Sequence, residues 1–354
     1  MATIFKQLTS GDIFTDTTKK VTGIFGGSGT LAGTSMYTQS LSASNKSYYY
    51  EVADMHATSG SATAYFDVSW GHRTGLGKSG TYNEAEAVYK QMVNVFLDDP
   101  HLKFTFSDVS GSDTGTERDA IYVMSVNSAH IKDRLAGKFT IELGGAKKEG
   151  HGTVVKRKFT NYTASRYPSI AGDYYKIVSG ALGVPVADSN GYTTVGHFWP
   201  NLGTFIFDAH HLSSSIPGTS GSTEGHSGSS DTNTQGAGLA PDLRTDGNAD
   251  NAHKFFNAFR SGSLVMQNEQ DQNQSTYYCR LHHHEFNFTS NPTFIVSGST
   301  LGDIKPDFIG DPSVYVTGVG LYNQFGELIA VAKLNQPKLK NYNTELTVAA
   351  KLNG

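Results

Sequence analysis

Apolar and polar residues alternate along several short stretches of this chain. Over 62–70, apolar side chains such as Phe66, Val68 and Trp70 occupy every second position, which is the period of a strand with one buried face. Similar strand-like runs recur at 104–109, 121–126, 139–143, 154–159, 174–178, 194–198 and 204–207. The pattern therefore predicts a chain rich in β-structure.

Two stretches have helical periodicity instead. Apolar residues recur at helical spacing over 84–97, and Thr81 with Glu84 fits a capping box at the start of that helix. A second apolar stripe predicts a helix over 250–260, with Gly262 just past its end. The predicted fold class is α+β, predominantly antiparallel β, with two principal helices.

The C-terminal region predicts a β-meander. The runs 314–323 and 328–334 are joined by a turn at 324–327, and 346–352 again alternates between apolar and polar residues. Pro337 is expected to break the chain before the third strand. The three strands present an apolar face too large to leave in water, so the region is expected to hold a core or to dock to a neighbour. The residues of this predicted interface are Leu321, Leu328, Ala330, Leu334, Leu346, Val348 and Leu352.

Composition divides the chain into four predicted segments. Residues 1–55 read as an extended N-terminal arm, 56–150 as an α+β domain, 151–300 as a β-rich domain, and 301–354 as the meander. Within the third segment, 213–238 is nearly all Ser, Gly, Thr and other polar residues. Such a stretch has too little apolar area to offset its chain entropy, so it is predicted to be a long exposed loop.

Charge and cysteine content exclude several classes of protein. Charged residues make up only 17% of the chain and the net charge is −4, which argues against a nucleic-acid binder and suits a subunit that buries much of its surface. The single cysteine, Cys279, excludes an intramolecular disulfide framework and is expected to act as a small buried hydrophobe. The sequence contains no signal-like N-terminus and no apolar run long enough to span a membrane, so synthesis and folding in a cytosol are expected.

Two motifs resemble sites of chemistry. Gly75, Gly77 and Gly80 match G-x-G-x-x-G, but the predicted helix begins too late to direct its amides at a phosphate, so a flexible connector is the preferred interpretation. On a strand, His282 and His284 would face the same side and are weak candidates for a metal site. Two ligands do not close such a site, so we expect no metal, and no cofactor.

The sequence also lacks a catalytic signature. It has no G-x-S-x-G or H-E-x-x-H motif, and its aspartates lie in turn-like contexts. We therefore predict no catalytic residues and no enzymatic activity.

Four regions of the chain carry a resemblance to a known family. They are 85–91 with 119–126 and 131–135, 175–182 with 197–203, Glu285-Phe286-Asn287-Phe288-Thr289-Ser290-Asn291-Pro292-Thr293-Phe294, and 315–323 with 328–334. Together they are similar to virion structural proteins of large contractile-tailed bacteriophages, including those of marine cyanobacteria. The last two regions are the most specific, and 1–55 matches poorly.

The resemblance implies a function without catalysis. The expected role is a structural subunit of the virion tail, baseplate or neck, in contact with other tail proteins and forming a homo-oligomer within a symmetric assembly. One alternative is a receptor- or carbohydrate-binding fibre or spike module. A second alternative is a cell-wall-degrading tail enzyme.

Overall fold

The computed structural model describes most of the chain. The described residues are 5–25, 28–39, 48–55, 62–75, 84–109, 115–146, 154–188, 191–216, 239, 248–289, 291–298 and 303–353. Contacts group the chain into two compact units. Unit 1 combines Met1–Lys19 with Asp271–Gly354, and unit 2 is Lys20–Gln270.

The secondary structure is mostly strand. In chain order the strands are β1 (Ile13–Gly23), β2 (Thr30–Ala32), β3 (Tyr37–Gln39), β4 (Tyr50–Ala53), β5 (Ala64–His72), β6 (Phe104–Phe106), β7 (Thr116–Arg118), β8 (Ala120–Val126), β9 (Arg134–Leu135), β10 (Thr140–Ala146), β11 (Val154–Asn161), β12 (Tyr175–Ala181), β13 (Val184–Pro185), β14 (Gly196–Trp199), β15 (Thr204–Asp208), β16 (Ser263–Val265), β17 (Gln267–Leu281), β18 (Val314–Tyr322), β19 (Leu328–Lys340) and β20 (Leu346–Asn353). The α-helices are α1 (Glu84–Leu97), α2 (Ala209–Ser215) and α3 (Asn248–Arg260), and single 3-10 turns lie at Ser10–Asp12, Gly33–Ser35, Ser128–His130 and Pro306–Phe308.

Unit 2 is built on one large antiparallel sheet. Its strand order is β2-β16-β10-β11-β12-β14-β15-β8-β5-β4-β3, with β13 paired to β12. The central strand β8 is apolar on both sides, because Tyr122 and Met124 enter one core cluster while Ile121 and Val123 enter another. Helix α3 packs into the first cluster and α1 into the second, so this sheet is covered on both faces.

One glycine permits the close approach of α1 to the sheet. A Cβ atom on Gly71 would lie 2.9 Å from the backbone nitrogen of Tyr89 on α1. Any side chain at this position would push the helix away from β5. Gly71 therefore allows α1 to pack closely against β5.

The predicted fold class and both principal helices are confirmed. Helix α1 has the predicted bounds, and α3 begins two residues before the predicted start. The seven-residue α2 was not predicted; it begins where the Asp208 carboxylate accepts a hydrogen bond from the amide of His210, at 2.9 Å. The rest of the proposed capping box, 81–83, lies outside the described residues.

Unit 1 contains a three-strand arrangement and a separate hairpin. The strand order is β1-β17-β20, and β18 pairs with β19. The C-terminal hairpin is therefore confirmed, but the three-strand meander is wrong in its third strand, because β20 pairs with β17 instead of β19. A turn over 341–344, in which Asn341 and Thr344 exchange hydrogen bonds, redirects the chain between β19 and β20.

Pro337 does not end a strand as expected. Strand β19 runs through it, and the pairing with β18 shifts register from Val316–Lys338 to Gly318–Lys333. Pro337 lies within this irregularity, where a missing amide removes no regular ladder bond. The break predicted at Pro337 is a local interruption of pairing within one strand.

The segments predicted from composition differ from the observed units. Residues 1–55 contain four strands, of which β2, β3 and β4 are members of the large sheet and do not form an arm. The residues of the Ser/Gly-rich stretch from 217 to 238 lie outside the described part of the chain, and 213–215 form the end of α2.

Candidate interaction surface

The distal end of the β18–β19 hairpin exposes a group of large apolar side chains. We call this group the hairpin surface. Its members are between 45% and 78% exposed, and they are Tyr322, Phe325, Leu328, Ile329 and Val331. Single exposed apolar residues are common, but a contiguous group usually marks a binding site.

A β-bulge brings three of these side chains, those of Tyr322, Leu328 and Val331, to one side of the hairpin. Leu321 pairs with Ala330, whereas the next residue, Tyr322, pairs with Leu328, so Ile329 is the extra residue. The side chains of Tyr322 and Leu328 both lie over Gly320, within about 3 Å of where its Cβ would be. Val331 is opposite Gly320 in the ladder, so the three apolar side chains are contiguous.

The turn at the tip of the hairpin is held by one side chain. The Asn323 side-chain oxygen accepts hydrogen bonds from the amides of Phe325 and Glu327, each at 2.9 Å, and its amide nitrogen donates to the Glu327 carboxylate at 2.7 Å. Gly326 has a positive φ of 81°, which a glycine adopts without strain. The turn therefore presents Phe325 to solvent from a well-defined backbone.

The predicted interface residues do not all lie on this surface. Leu328 does, because the bulge moves it to the face of Tyr322, whereas Leu321 is half-buried on the opposite face. Leu334, Leu346 and Leu352 are also half-buried. Ala330 is half-buried opposite Leu321, and Val348 is buried at the pairing position of Cys279, so these residues pack within unit 1.

Phe5 was not predicted to belong to this surface. Its ring makes an edge contact with Tyr322, with ring centroids 4.8 Å apart, and its side chain is half exposed. It extends the hairpin surface from a residue more than three hundred positions away in the chain. Ile329 and Val331 were not predicted to belong to it either. Strict alternation that starts with Leu328 on the apolar face assigns both of these residues to the opposite face.

The base of the hairpin is fixed by a buried lysine. The Lys340 ammonium donates to the backbone oxygens of His283 and Asn341, at 3.1 and 3.0 Å, and to the Asn287 side chain at 2.7 Å. Glu285 in the same turn accepts from Lys6 and from the His282 amide, which lowers the pKa of its carboxyl to about 2. These contacts tie the end of β19 to the 283–287 turn.

His282 and His284 are not placed on a strand, contrary to the prediction. Strand β17 ends at Leu281, and the histidines lie in the turn that follows. Their rings stack nearly parallel, with centroids 6.1 Å apart, so their in-plane lone pairs do not converge on one ion. Within the described residues, no group of three or more His, Cys, Asp or Glu side chains is arranged to hold a metal.

A shallow groove lies elsewhere in unit 1, across β1, β17 and β20. The exposed rings of Phe14 and Tyr278 line it together with Arg280, the hydroxyls of Ser10 and Thr347, Gly11 and Ile13. The Arg280 guanidinium is 3.2 Å from the Asp12 carboxylate, whose pKa is lowered chiefly by hydrogen bonds from Thr9. The groove combines aromatic faces with polar groups.

Two buried titratable groups of unit 2, His197 and Lys176, pack within its core. Burial, together with the cation of Lys176, lowers the pKa of His197 to about 3, so its ring is neutral and packs against Phe106 and Tyr174. The Lys176 ammonium donates to Ser107 and to the Asp108 backbone oxygen at 2.8 to 3.0 Å. This lysine fastens the segment after β6 onto the sheet.

Three comparisons bear on identity. No protein-family model, no curated protein and no solved structure matches the chain. Across the described ranges, no helix is both long enough and apolar enough to cross a membrane. In the proposed G-x-G-x-x-G motif, Gly77 and Gly80 lie outside those ranges.

Proposed function

We propose that this chain is a non-enzymatic structural subunit of a bacteriophage virion, in the tail or baseplate, and that the hairpin surface docks it to a neighbouring subunit. The observation that carries the proposal is the exposure of Tyr322, Phe325, Leu328, Ile329 and Val331 on an ordered hairpin. The family resemblance of 315–323 and 328–334 supports the assignment to a virion.

Free energy favours covering this surface. Burying a large aliphatic or aromatic side chain contributes roughly 1.5–3 kcal/mol, so five such residues provide a substantial part of a specific interface. Glu327 is the only charged residue between Val314 and Ala332, and its carboxylate is already hydrogen-bonded to Asn323. Docking therefore desolvates little charge.

The proposal is tested by replacing two residues of the hairpin surface. Ile329→Asp with Val331→Asp places charges where both side chains are exposed, so the isolated chain should keep its melting temperature. Particles assembled with this variant in place of the wild-type chain should lack it, as measured by mass spectrometry of purified virions.

A matched control is available in unit 2. Val184 and Val186 have the same spacing and are 66% and 60% exposed, and Val184→Asp with Val186→Asp should enter particles normally. Normal incorporation of the hairpin variant would show that this surface does not dock the subunit. Absence of the wild-type chain from purified particles would remove the virion assignment itself.

The groove supports a second candidate function, a carbohydrate-binding module of a fibre or spike. Exposed aromatic rings stack on sugar faces, and Ser10, Thr347 and Arg280 offer hydrogen bonds to hydroxyl groups. In this case Tyr278→Ala should abolish binding to host-surface glycans in an array, whereas the hairpin variant should bind as the wild type does. No glycan binding by the wild-type chain would dismiss this candidate.

A further inference from the structure

We propose that the outer edge of β18 pairs antiparallel with β18 of a second copy of this chain, so that the subunit is a twofold-symmetric dimer. This inference rests on the proposed function and names the neighbour that one side of the hairpin contacts. It concerns the strand edge, which is distinct from the apolar side chains of the hairpin surface.

The two edges of the hairpin are protected differently. Strand β19 carries Lys333, Pro337 and Lys338 and an irregularity in its pairing, which are the usual means of preventing further strand addition. Strand β18 carries no lysine and no proline from Val314 to Tyr322, and the irregularity leaves only Thr317 of this strand without a partner on β19. Its second edge faces no other strand in the described part of the chain. The β18 edge is therefore open to pairing.

Charge favours a copy of the same strand as the partner. In an antiparallel pair of identical strands about a twofold axis, a charged residue near the centre meets its own like charge, which is destabilising. Strand β18 contains no Asp, Glu, Lys, Arg or His. The outer strands of the β1-β17-β20 arrangement do carry charges, including Lys19 on β1 and Lys351 on β20.

The register of the pairing follows from strand length. The longest overlap of the nine-residue strand with its copy is centred on Gly318. Thr317 then lies opposite Val319 of the copy and diagonal to the copy's own residue 317, which is about 7–8 Å away in such a ladder. Thr317 is exposed in the single chain, so a substitution there should leave the hairpin folded.

Opposite charges at this position provide the test. We expect the wild-type full chain to have a mass by light scattering of twice its 38.1 kDa. Thr317→Lys and Thr317→Glu should each be monomeric, because each brings like charges together across the twofold axis. An equimolar mixture of the two variants should return to the dimer mass, since Lys then meets Glu. The control Gln336→Lys, exposed on β19, should remain dimeric, and circular dichroism should show all variants folded.

Each other outcome overturns the inference. A monomeric wild-type chain, or a Thr317 variant that stays dimeric, means that β18 does not pair with its copy. If both Thr317 variants are monomeric and their mixture also stays monomeric, residue 317 does not lie near residue 317 of the second copy. Incorporation into virions is measured separately. If the chain is monomeric but is found in particles, the proposed function stands and the pairing does not. If the chain is dimeric but is absent from particles, the pairing stands and the proposed function does not.

Discussion

At the scale of single residues, two carboxylates stand opposite each other in the large sheet. Glu51 on β4 pairs directly with Asp67 on β5. Burial, and secondarily the charge of Glu51, raises the pKa of Asp67 to about 6. Like charges at directly opposed positions destabilise a strand pair, so this pair weakens the sheet above about pH 6, where both carboxyl groups are ionised.

The pair predicts a pH dependence of stability. Because the pKa of Asp67 is higher in the folded chain than the ordinary value of 3.8, the folded state binds more protons between those two pH values. The contribution of the protonated Asp67 carboxyl to stability should therefore be present below about pH 4 and be lost as pH rises through about 6. Asp67→Asn should raise the melting temperature at pH 7 to 8 and reduce the slope between pH 4 and 6.

Urea unfolding at a series of pH values measures this slope. The exposed Asp307 in unit 1 provides the matched control, because Asp307→Asn removes one carboxyl group outside the β4–β5 pair. An Asp67→Asn variant with the wild-type slope would show that Asp67 ionises in the folded chain as it does in the unfolded chain.

At the scale of elements, the alternating pattern predicted where the strands lie but not which strands pair with each other. The sequence left open whether the apolar side of the run 346–352 is a core or an interface, and in the structure Val348 and Ala350 are buried. Alternation reports which side of a strand is apolar. It does not report which strand lies next to it, and β20 pairs with β17 rather than the nearer β19. Leu328 was misplaced by the bulge at Ile329, since one extra residue reverses the face of everything beyond it.

The burial of β20 leads to a prediction about Val348. Val348→Asp places a charge at a buried position opposite Cys279, so the loss should exceed the roughly 1.5–3 kcal/mol of lost burial. The free energy of unfolding should fall by more than about 3 kcal/mol in chemical denaturation. Ala349→Asp, on the exposed face of the same strand, should cost much less. Equal stability of the two variants would mean that the register of β20 is shifted by one residue.

At the scale of the whole molecule, one of the two units is discontinuous in sequence. Unit 1 joins the first residues to the last ones, through the pairing of β1 with β17. Composition indicates local boundaries, whereas this pairing connects positions about 250 residues apart and leaves no local signal. The candidate site shows the same limit, because the hairpin was predicted but the contact of Phe5 with Tyr322 was not.

The ends of the Ser/Gly-rich stretch predict that it is dispensable. The amide of Leu239 donates to the backbone oxygen of Ile216 at 2.9 Å, and both side chains are buried. A short linker therefore spans the gap, and the entropy of loop closure changes slowly with length. Replacing 217–238 by a Gly-Ser linker should leave solubility and melting temperature close to wild type. An insoluble product would mean that the stretch contributes to packing or to an interface.

The position of the chain in a purified virion tests the central claim most directly. We predict that a cryo-electron microscopy map of the contractile tail or baseplate contains density for this chain, with Phe325, Ile329 and Val331 buried against a neighbouring subunit. A map in which every tail and baseplate density is assigned to other proteins would contradict the account. So would density for this chain in which the hairpin surface faces solvent.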